Sequence, residues 1–361
     1  MKNNNFFVNI ALSVFTLFLG LVLIESAARL RQWVKYGTVN HYVGGEKVWD
    51  AGSGLMVHPG GLKTWTISLD SHGFRNPEIE SPKPENTVRL AFLGSSATYC
   101  SETSSDEKSW PYLVWSALQK AYPGFKIDFI NAAVPGFTVL SNLINLEKRI
   151  RPFKPDIIII YEGFNDIILD TGKLVVRGGK LAPSLKNETW IETKLLFWHL
   201  IKKNIDFFSR QNRAKQEKAG ANFRPEEASE RFRLRLRRLI ISAKKESSVV
   251  AIATLSYKIR REQSEEKKMN SASSAFYYMP YMDLSGMLAV YEEYNRVIRQ
   301  VAKENQVILI ENELSIPGED EYFKDSIHFS DEGCVFMARR IIKGLMDSPE
   351  FRYFMKTRAA K

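Results

Sequence analysis

The sequence predicts an α/β fold: a parallel sheet covered by helices on both faces, behind a single N-terminal apolar helix. Three observations carry this reading. Five short β-rich apolar runs alternate with longer stretches of helical spacing. One of those runs, Ile157-Ile158-Ile159-Ile160-Tyr161, is apolar at every position, as a strand buried on both faces requires. Only one stretch, Phe6 to Ile24, is long and apolar enough to span a bilayer. Hydrophobic residues are 44% and charged residues 25% of 361, which excludes wholesale disorder and fits one large domain plus an accessory segment, or two modest domains. Two cysteines exclude a disulfide-stapled scaffold and a cysteine-rich zinc module.

The apolar stretch comes first. Phe6–Ile24 is 19 residues without a charge. At ~1.5 Å per residue it covers about 28 Å, close to the hydrocarbon thickness of a membrane. Helical spacing continues into Glu25 and Arg29, an i,i+4 pair. The run exceeds the usual length of a signal h-region, which favours a retained anchor. A cleaved signal peptide ending at Ser26-Ala27-Ala28 and a buried soluble helix are the competing readings. Two orientation cues oppose each other. Arg29, Arg31 and Lys35 after the span favour a cytoplasmic body. The very short N-terminal tail favours export, and we read the body as extracytoplasmic.

Residues 1–35 are thus the anchor and its flank. Residues 36–85, with Gly44-Gly45, Gly52, Gly54, Gly60-Gly61 and short alternating runs such as Thr64–Leu69, read as a hairpin-rich neck. Residues 86–361 carry the strand–helix alternation. Strands are expected at Val88–Leu93, Ile127–Asn131, Asp156–Tyr161, Ser248–Leu255 and Gln306–Ile310. Helices are expected at about 107–122, 139–151, 226–245, 286–304 and 331–346. Such alternation implies right-handed crossovers and a parallel sheet.

A basic insertion at about 171–225 interrupts the pattern. Lys194–Lys245 hold 15 Lys+Arg against 5 Asp+Glu, an excess equal to the net charge of +10 of the whole chain. Arg231, Arg233, Arg235, Arg237 and Arg238 read as a solvated helix face whose Phe232, Leu234, Leu236, Leu239 and Ile240 pack on the sheet. Apposition to an anionic membrane surface or an acidic polysaccharide is the alternative. Nucleic acid is disfavoured because no fingered or aromatic-interleaved module accompanies the charge. Leu195–Phe208 reads as an interfacial helix or as a helix docked on the core.

In an open parallel sheet the site forms outside the carboxyl ends of the strands. The first strand ends in Leu93-Gly94-Ser95-Ser96-Ala97-Thr98, and the second in Asn131-Ala132-Ala133-Val134-Pro135-Gly136-Phe137-Thr138. The third ends in Tyr161-Glu162-Gly163-Phe164-Asn165-Asp166, and Asp325-Ser326-Ile327-His328 follows the last. Each alone is more often a helix cap, a turn or a surface histidine. Their order, each after a separate strand, is what points to a site.

On these four blocks the chain resembles the SGNH/GDSL hydrolase superfamily, from about Val88 to Met346. Gly73-Phe74-Arg75-Asn76 resembles the entry segment of its membrane-anchored bacterial members. The resemblance implies a flavodoxin-like three-layer α/β/α sandwich with a five-stranded parallel sheet. It implies Ser96 as nucleophile, His328 and Asp325 as the rest of a triad, and Ser96, Gly136 and Asn165 as oxyanion donors. No metal and no cofactor is implied. One departure stands out: the family motif has Asp before the nucleophile, and here it is Ser95. That bears on rate and loop geometry more than on reaction class.

The chemistry follows physically. A serine hydroxyl attacks an ester only when a base takes its proton, and an imidazole of pKa near ~6.5 suits that task. The expected activity is a serine esterase or deacylase acting on ester-linked acyl groups, acetyl above all, of a cell-envelope glycan or lipid. An O-acyltransferase on the same machinery and a noncatalytic envelope assembly protein are the alternatives. The aromatic run Phe276–Met282 lies in a loop expected near the site, where it would stack on sugars, line an acyl pocket or pack on its own core. Cys100 and Cys334 follow Ser96 and His328 closely and read as two buried thiols, or as a disulfide if the domain is exported.

Overall fold

The computed structural model describes residues 3–37, 47–177, 195–216 and 224–359. In chain order the elements begin with α1 (Asn3–Tyr36), β1 (Val48–Asp50), β2 (Leu55–Val57), β3 (Thr87–Gly94) and α2 (Ser96–Tyr99). Next come α3 (Trp110–Ala121), β4 (Lys126–Asn131), α4 (Val139–Asn145), β5 (Ile157–Tyr161), α5 (Phe164–Arg177) and α6 (Leu196–Gln216). The chain then runs through α7 (Pro225–Glu246), β6 (Val249–Ala253), α8 (Glu265–Ser271), α9 (Ser273–Tyr278) and α10 (Leu284–Glu304). It finishes with β7 (Ile308–Ile310), α11 (Asp331–Asp347) and α12 (Pro349–Ala359). Two compact units result: Met1–Val43 with Ser184–Ser209, and Gly44–Pro183 with Arg210–Lys361.

In the first unit α1 runs unbroken through the apolar stretch. Phe6–Val34 has a mean hydropathy of 2.5 and enough length to cross a membrane, a property anchors and signal sequences share. Its apolar side chains, such as Phe7 and Leu17, are exposed. Glu25 pairs with Arg29 at 2.6 Å. Its carboxylate also accepts the Leu196 and Phe197 N–H groups at 3.1 and 3.0 Å, satisfying two of the open donors at the start of α6.

In the second unit five strands form one parallel sheet of order β4-β3-β5-β6-β7. This is the doubly wound order in which the chain leaves β3 to one side and returns to its other side. All eight residues of β3 and all five of β5 are buried. They are buried because helices cover both faces: α3, α11 and α12 pack on one side, and α4, α5, α7 and α10 on the other. The predicted three-layer sandwich is therefore the fold observed.

The differences are local. The helix expected at 139–151 is α4 followed by a π turn at Leu146–Ile150 and a 3₁₀ turn at Arg151–Phe153, where Pro152 stops α-helical pairing. The loop expected at 258–285 contains α8 and α9. The Ser264 hydroxyl accepts the Lys267 N–H and starts the first of them. On α7, Phe232, Leu236, Leu239 and Ile240 are buried, but Leu234 is exposed, because a 3.6-residue period turns it to the opposite face. Arg235 points inward instead and pairs with Asp166 at 2.9 Å and with Asp170.

The segment read as a neck contains the antiparallel pair β1–β2 and a bridge between Lys63 and Ser68, and from Gly44 on it belongs to the same compact unit as the sheet. Its residues 38–46 lie outside the described residues, as do 178–194 and 217–223 of the basic insertion.

Candidate active site

The site is built where β3 stops. Gly94 has no room for a side chain: a Cβ there would lie 2.1 Å from Thr98 Oγ1 and 2.5 Å from the Tyr161 carbonyl oxygen. This close approach lets Thr98 Oγ1 donate to that carbonyl at 3.1 Å and clamps the turn after β3 to β5. Ser95 makes the turn and Ser96 opens α2, a single helical turn. Cys100 ends α2 in the left-handed region (φ 60°), its N–H donating to the Ser96 carbonyl at 2.9 Å.

Arg75, fully buried, braces this turn from the neck. Its guanidinium donates to the carbonyls of Tyr99 at 2.7 Å and Cys100 at 2.5 Å and pairs with Asp106 at 2.7 Å. Next to it, Asn76 Oδ1 accepts the Asn131 N–H at 3.1 Å. The Gly-Phe-Arg-Asn segment thus ties the ends of β3 and β4 together.

The histidine arrives from the loop before α11. Asp325 Oδ1 accepts the N–H groups of Ile327 (2.9 Å) and His328 (2.8 Å), which fixes the loop around its own carboxylate. The other oxygen, Oδ2, lies 2.7 Å from His328 Nδ1, and His328 Nε2 lies 2.7 Å from Ser96 Oγ. With Nδ1–H directed at the carboxylate, Nε2 is the nitrogen left to accept the serine proton. Burial opposes the charge on Asp325, but His328 and the two backbone N–H groups outweigh it and hold the carboxyl below its ordinary value. Burial likewise pushes His328 down, and Asp325 more than offsets this and raises it. The short helix α9 supports the loop: the Ser274 and Ser326 hydroxyls lie 2.8 Å apart, and Ser274 Oγ accepts the Ser326 N–H at 3.0 Å.

Gly136 and Asn165 follow β4 and β5, the two strands that flank β3. Gly136 is exposed with φ +85°, a conformation that suits glycine and turns its backbone at the strand end. Asn165, in the first turn of α5, donates one amide N–H to the Phe137 carbonyl at 2.8 Å, and an amide has a second to give. Asp166 beside it accepts the Val139 N–H at 2.8 Å, which locks the block after β4 to the block after β5. Burial raises Asp166 to about 6, against the pull of that N–H and of Arg235.

Two groups near the site carry no sequence signal. Lys47 Nζ donates to the Pro135 carbonyl and would lie 3.7 Å from a Cβ at Gly136. Burial lowers its pKa. Glu162, fully buried, accepts the Gly163 N–H and the Asn142 amide at 2.9 Å each and is hydrogen-bonded to the Ser95 hydroxyl. Burial, and then Asp166, push it far above the ordinary carboxyl range. A carboxyl group therefore stands beside position 95 although the residue there is serine.

An apolar cavity of about 30 Å³ lies against His328, lined by Phe164, Ile168, Tyr278, Met279, Tyr291 and Ile327. The aromatic run divides between core and site. Phe276 and Met282 are buried, Tyr278 lines the cavity, and Tyr281 bonds to Thr171 at 2.9 Å. Among the described residues, no group of three or more His, Cys, Asp or Glu side chains is arranged to hold a metal.

Residues 92–334 match the GDSL-like lipase/acylhydrolase family. No curated protein matches the chain. Among solved structures, an acetyl xylan esterase variant from Geobacillus stearothermophilus is 18% identical with a TM-score of 0.44, over 71% of this chain and 94% of that one. The acetylxylan esterase from the same organism gives 17% and 0.43, over 71% and 93%. LAE5, an α/β hydrolase enzyme from the Lake Arreo metagenome, gives 13% and 0.42, over 71% and 94%.

Proposed function

From the premise that this chain belongs to the GDSL-like lipase/acylhydrolase family and is an SGNH-type ester hydrolase, we propose that Ser96, His328 and Asp325 are its triad and that it removes short acyl groups, acetyl above all, from a cell-envelope glycan or lipid. The observation that carries the triad is the unbroken chain of 2.7 Å contacts from Asp325 through His328 to Ser96 Oγ.

The steps follow from that geometry. Ser96 Oγ attacks the ester carbonyl as Nε2 of His328 takes its proton, and Asp325 stabilises the imidazolium so formed. The oxyanion is received by the N–H groups of Ser96 and Gly136 and by the free amide N–H of Asn165. His328 then returns the proton to the departing alcohol. Water, deprotonated by the same nitrogen, attacks the acyl-serine and releases the acid.

Support for a short acyl group comes from the small apolar cavity beside His328, lined by Phe164, Ile168, Tyr278, Met279 and Tyr291. Support for an envelope substrate comes from α1, read as the retained anchor of an extracytoplasmic domain. The test uses the full chain in detergent with a fluorophosphonate probe, p-nitrophenyl esters of increasing length and acetylated sugars. We expect labelling at Ser96, turnover that falls beyond acetyl or propionyl, and loss of both in Ser96→Ala. Full turnover in Ser96→Ala removes the triad assignment. Faster turnover of octanoyl than of acetyl esters removes the acyl assignment and leaves the triad standing.

A further inference from the structure

The chain has two cysteines, 234 residues apart, and the fold brings them together in a buried place. Their Sγ atoms lie 3.8 Å apart. Cys100 is the residue that ends α2, four positions after Ser96. Cys334 lies in the first turn of α11, six positions after His328. The two segments are already tied nearby, where Asp331 accepts the Ser104 N–H at 2.9 Å and the Ser104 hydroxyl.

We propose that Cys100 and Cys334 are a cross-linking site, and that in an oxidising compartment they join in a disulfide that staples the turn carrying Ser96 to the helix that follows His328. A disulfide needs sulfurs at about 2.05 Å, so they must approach by roughly 1.8 Å. Closing that gap requires the cysteine side chains to rotate, with α2, a single helical turn, shifting where rotation falls short.

Either cysteine, as its thiolate, attacks a sulfur of an external disulfide, glutathione disulfide or a protein oxidant, and expels one thiolate. The sulfur of the other cysteine, giving up its proton, attacks the first in the mixed disulfide and expels the second thiolate. One external S–S bond breaks and one internal S–S bond forms. Two electrons pass to the oxidant, and the two cysteine protons leave with the released thiols. Because both sulfurs are buried, the reaction runs while the domain folds or opens locally, and the finished bond is then shielded from reductant.

The cross-link spans the two halves of the proposed triad, so it limits how far Ser96 and His328 can part. It does not depend on the ester chemistry, and its test reads mass rather than turnover. The full chain in detergent is equilibrated with glutathione buffers of rising oxidised fraction. It is then denatured in N-ethylmaleimide and weighed intact. We expect no maleimide added under oxidising conditions, a mass about 2 Da lower, and a proteolytic fragment joining Cys100 to Cys334. Melting temperature should fall by roughly 5–10 °C on reduction. That response should vanish in both Cys334→Ala and Cys334→Ser, whatever their own stability. Two maleimides per chain at every buffer ratio, glutathione left on either cysteine, or a cross-link between two chains would overturn the proposal.

Discussion

Asp325→Asn is the sharpest test of the proposed triad, because the structure dictates how it must fail. Asp325 accepts three hydrogen bonds, from Ile327 N–H, His328 N–H and His328 Nδ1–H. Asparagine keeps one acceptor oxygen. If that oxygen holds the two loop N–H groups, its NH₂ faces Nδ1 and donates. The imidazole must then adopt the tautomer with the proton on Nε2, which points a donor at Ser96 Oγ. A base has become an acid while the shape of the loop is unchanged. The analogous tautomer error in a serine protease triad lowers kcat about 10⁴-fold, equivalent to about 5 kcal/mol of barrier. The assay is kcat/KM on p-nitrophenyl acetate from pH 4 to 10 with the full chain.

For the wild type, Asp325 raises His328, so turnover should climb with pH through an apparent pKa above the usual imidazole value. In Asp325→Asn the rate at pH 8 should be lower by about 10³–10⁴, and the residual acid limb should move down. Stability supplies a second sign check. Because His328 is raised on folding, its share of stability is present below the unfolded imidazole pKa and lost as pH rises through the folded one. Because Asp325 is lowered, its share is present above the unfolded carboxyl pKa and lost as pH falls through the folded one. A variant that folds normally and keeps kcat within tenfold of wild type would refute the reasoning.

Asn165→Ala removes one oxyanion donor and should cost about 10²–10³ in kcat, roughly 2.7–4 kcal/mol, with KM little changed; a drop below threefold on acetyl esters would take Asn165 out of the hole. Gly94→Ala pushes a methyl group to within 2.5 Å of both Thr98 Oγ1 and the Tyr161 carbonyl oxygen, so Ser96 must shift with its turn. We expect loss of both melting temperature and activity there, and unchanged values of the two would contradict the close packing of β3 on β5.

The elements legible from the sequence were those whose pattern is forced by the layers around them. Ile157–Tyr161 reads as a strand because helices on both faces leave no polar position. The helices α3, α7, α10 and α11 read correctly because their apolar period was long enough to register. Leu234 fails for an instructive reason: alternation of Arg with Phe232, Leu234 and Leu236 from 231 to 237 mimics a period of two, and only the helix places 234 opposite 232 and 236. The short helices α8 and α9 fail differently. They have too few turns for periodicity, and tertiary bonds such as Ser274 to Ser326 hold α9. The site blocks were legible because strand ends in such a sheet face one crevice, but the distances between them were not.

The departure at Ser95 shows what a motif reading cannot contain. Read along the chain, the turn before Ser96 lacks a carboxyl group. Read in space, Glu162 supplies one from the end of β5, bonded to Ser95, to the Gly163 N–H and to Asn142 at the base of α4. A buried carboxyl is tolerated only where its oxygens are hydrogen-bonded, and these partners supply that. It ties together the turn that carries Ser96, the first turn of α5 that carries Asn165, and α4. Asp166 repeats the arrangement one turn away, bridging Val139 N–H to Arg235. Arg75 does the same from the neck, reaching Tyr99, Cys100 and Asp106. None of these residues touches the reacting atoms of the proposed triad. Together they fix three loops from separate strands, and a site assembled from strand ends requires such fixing before its donors can be preorganised.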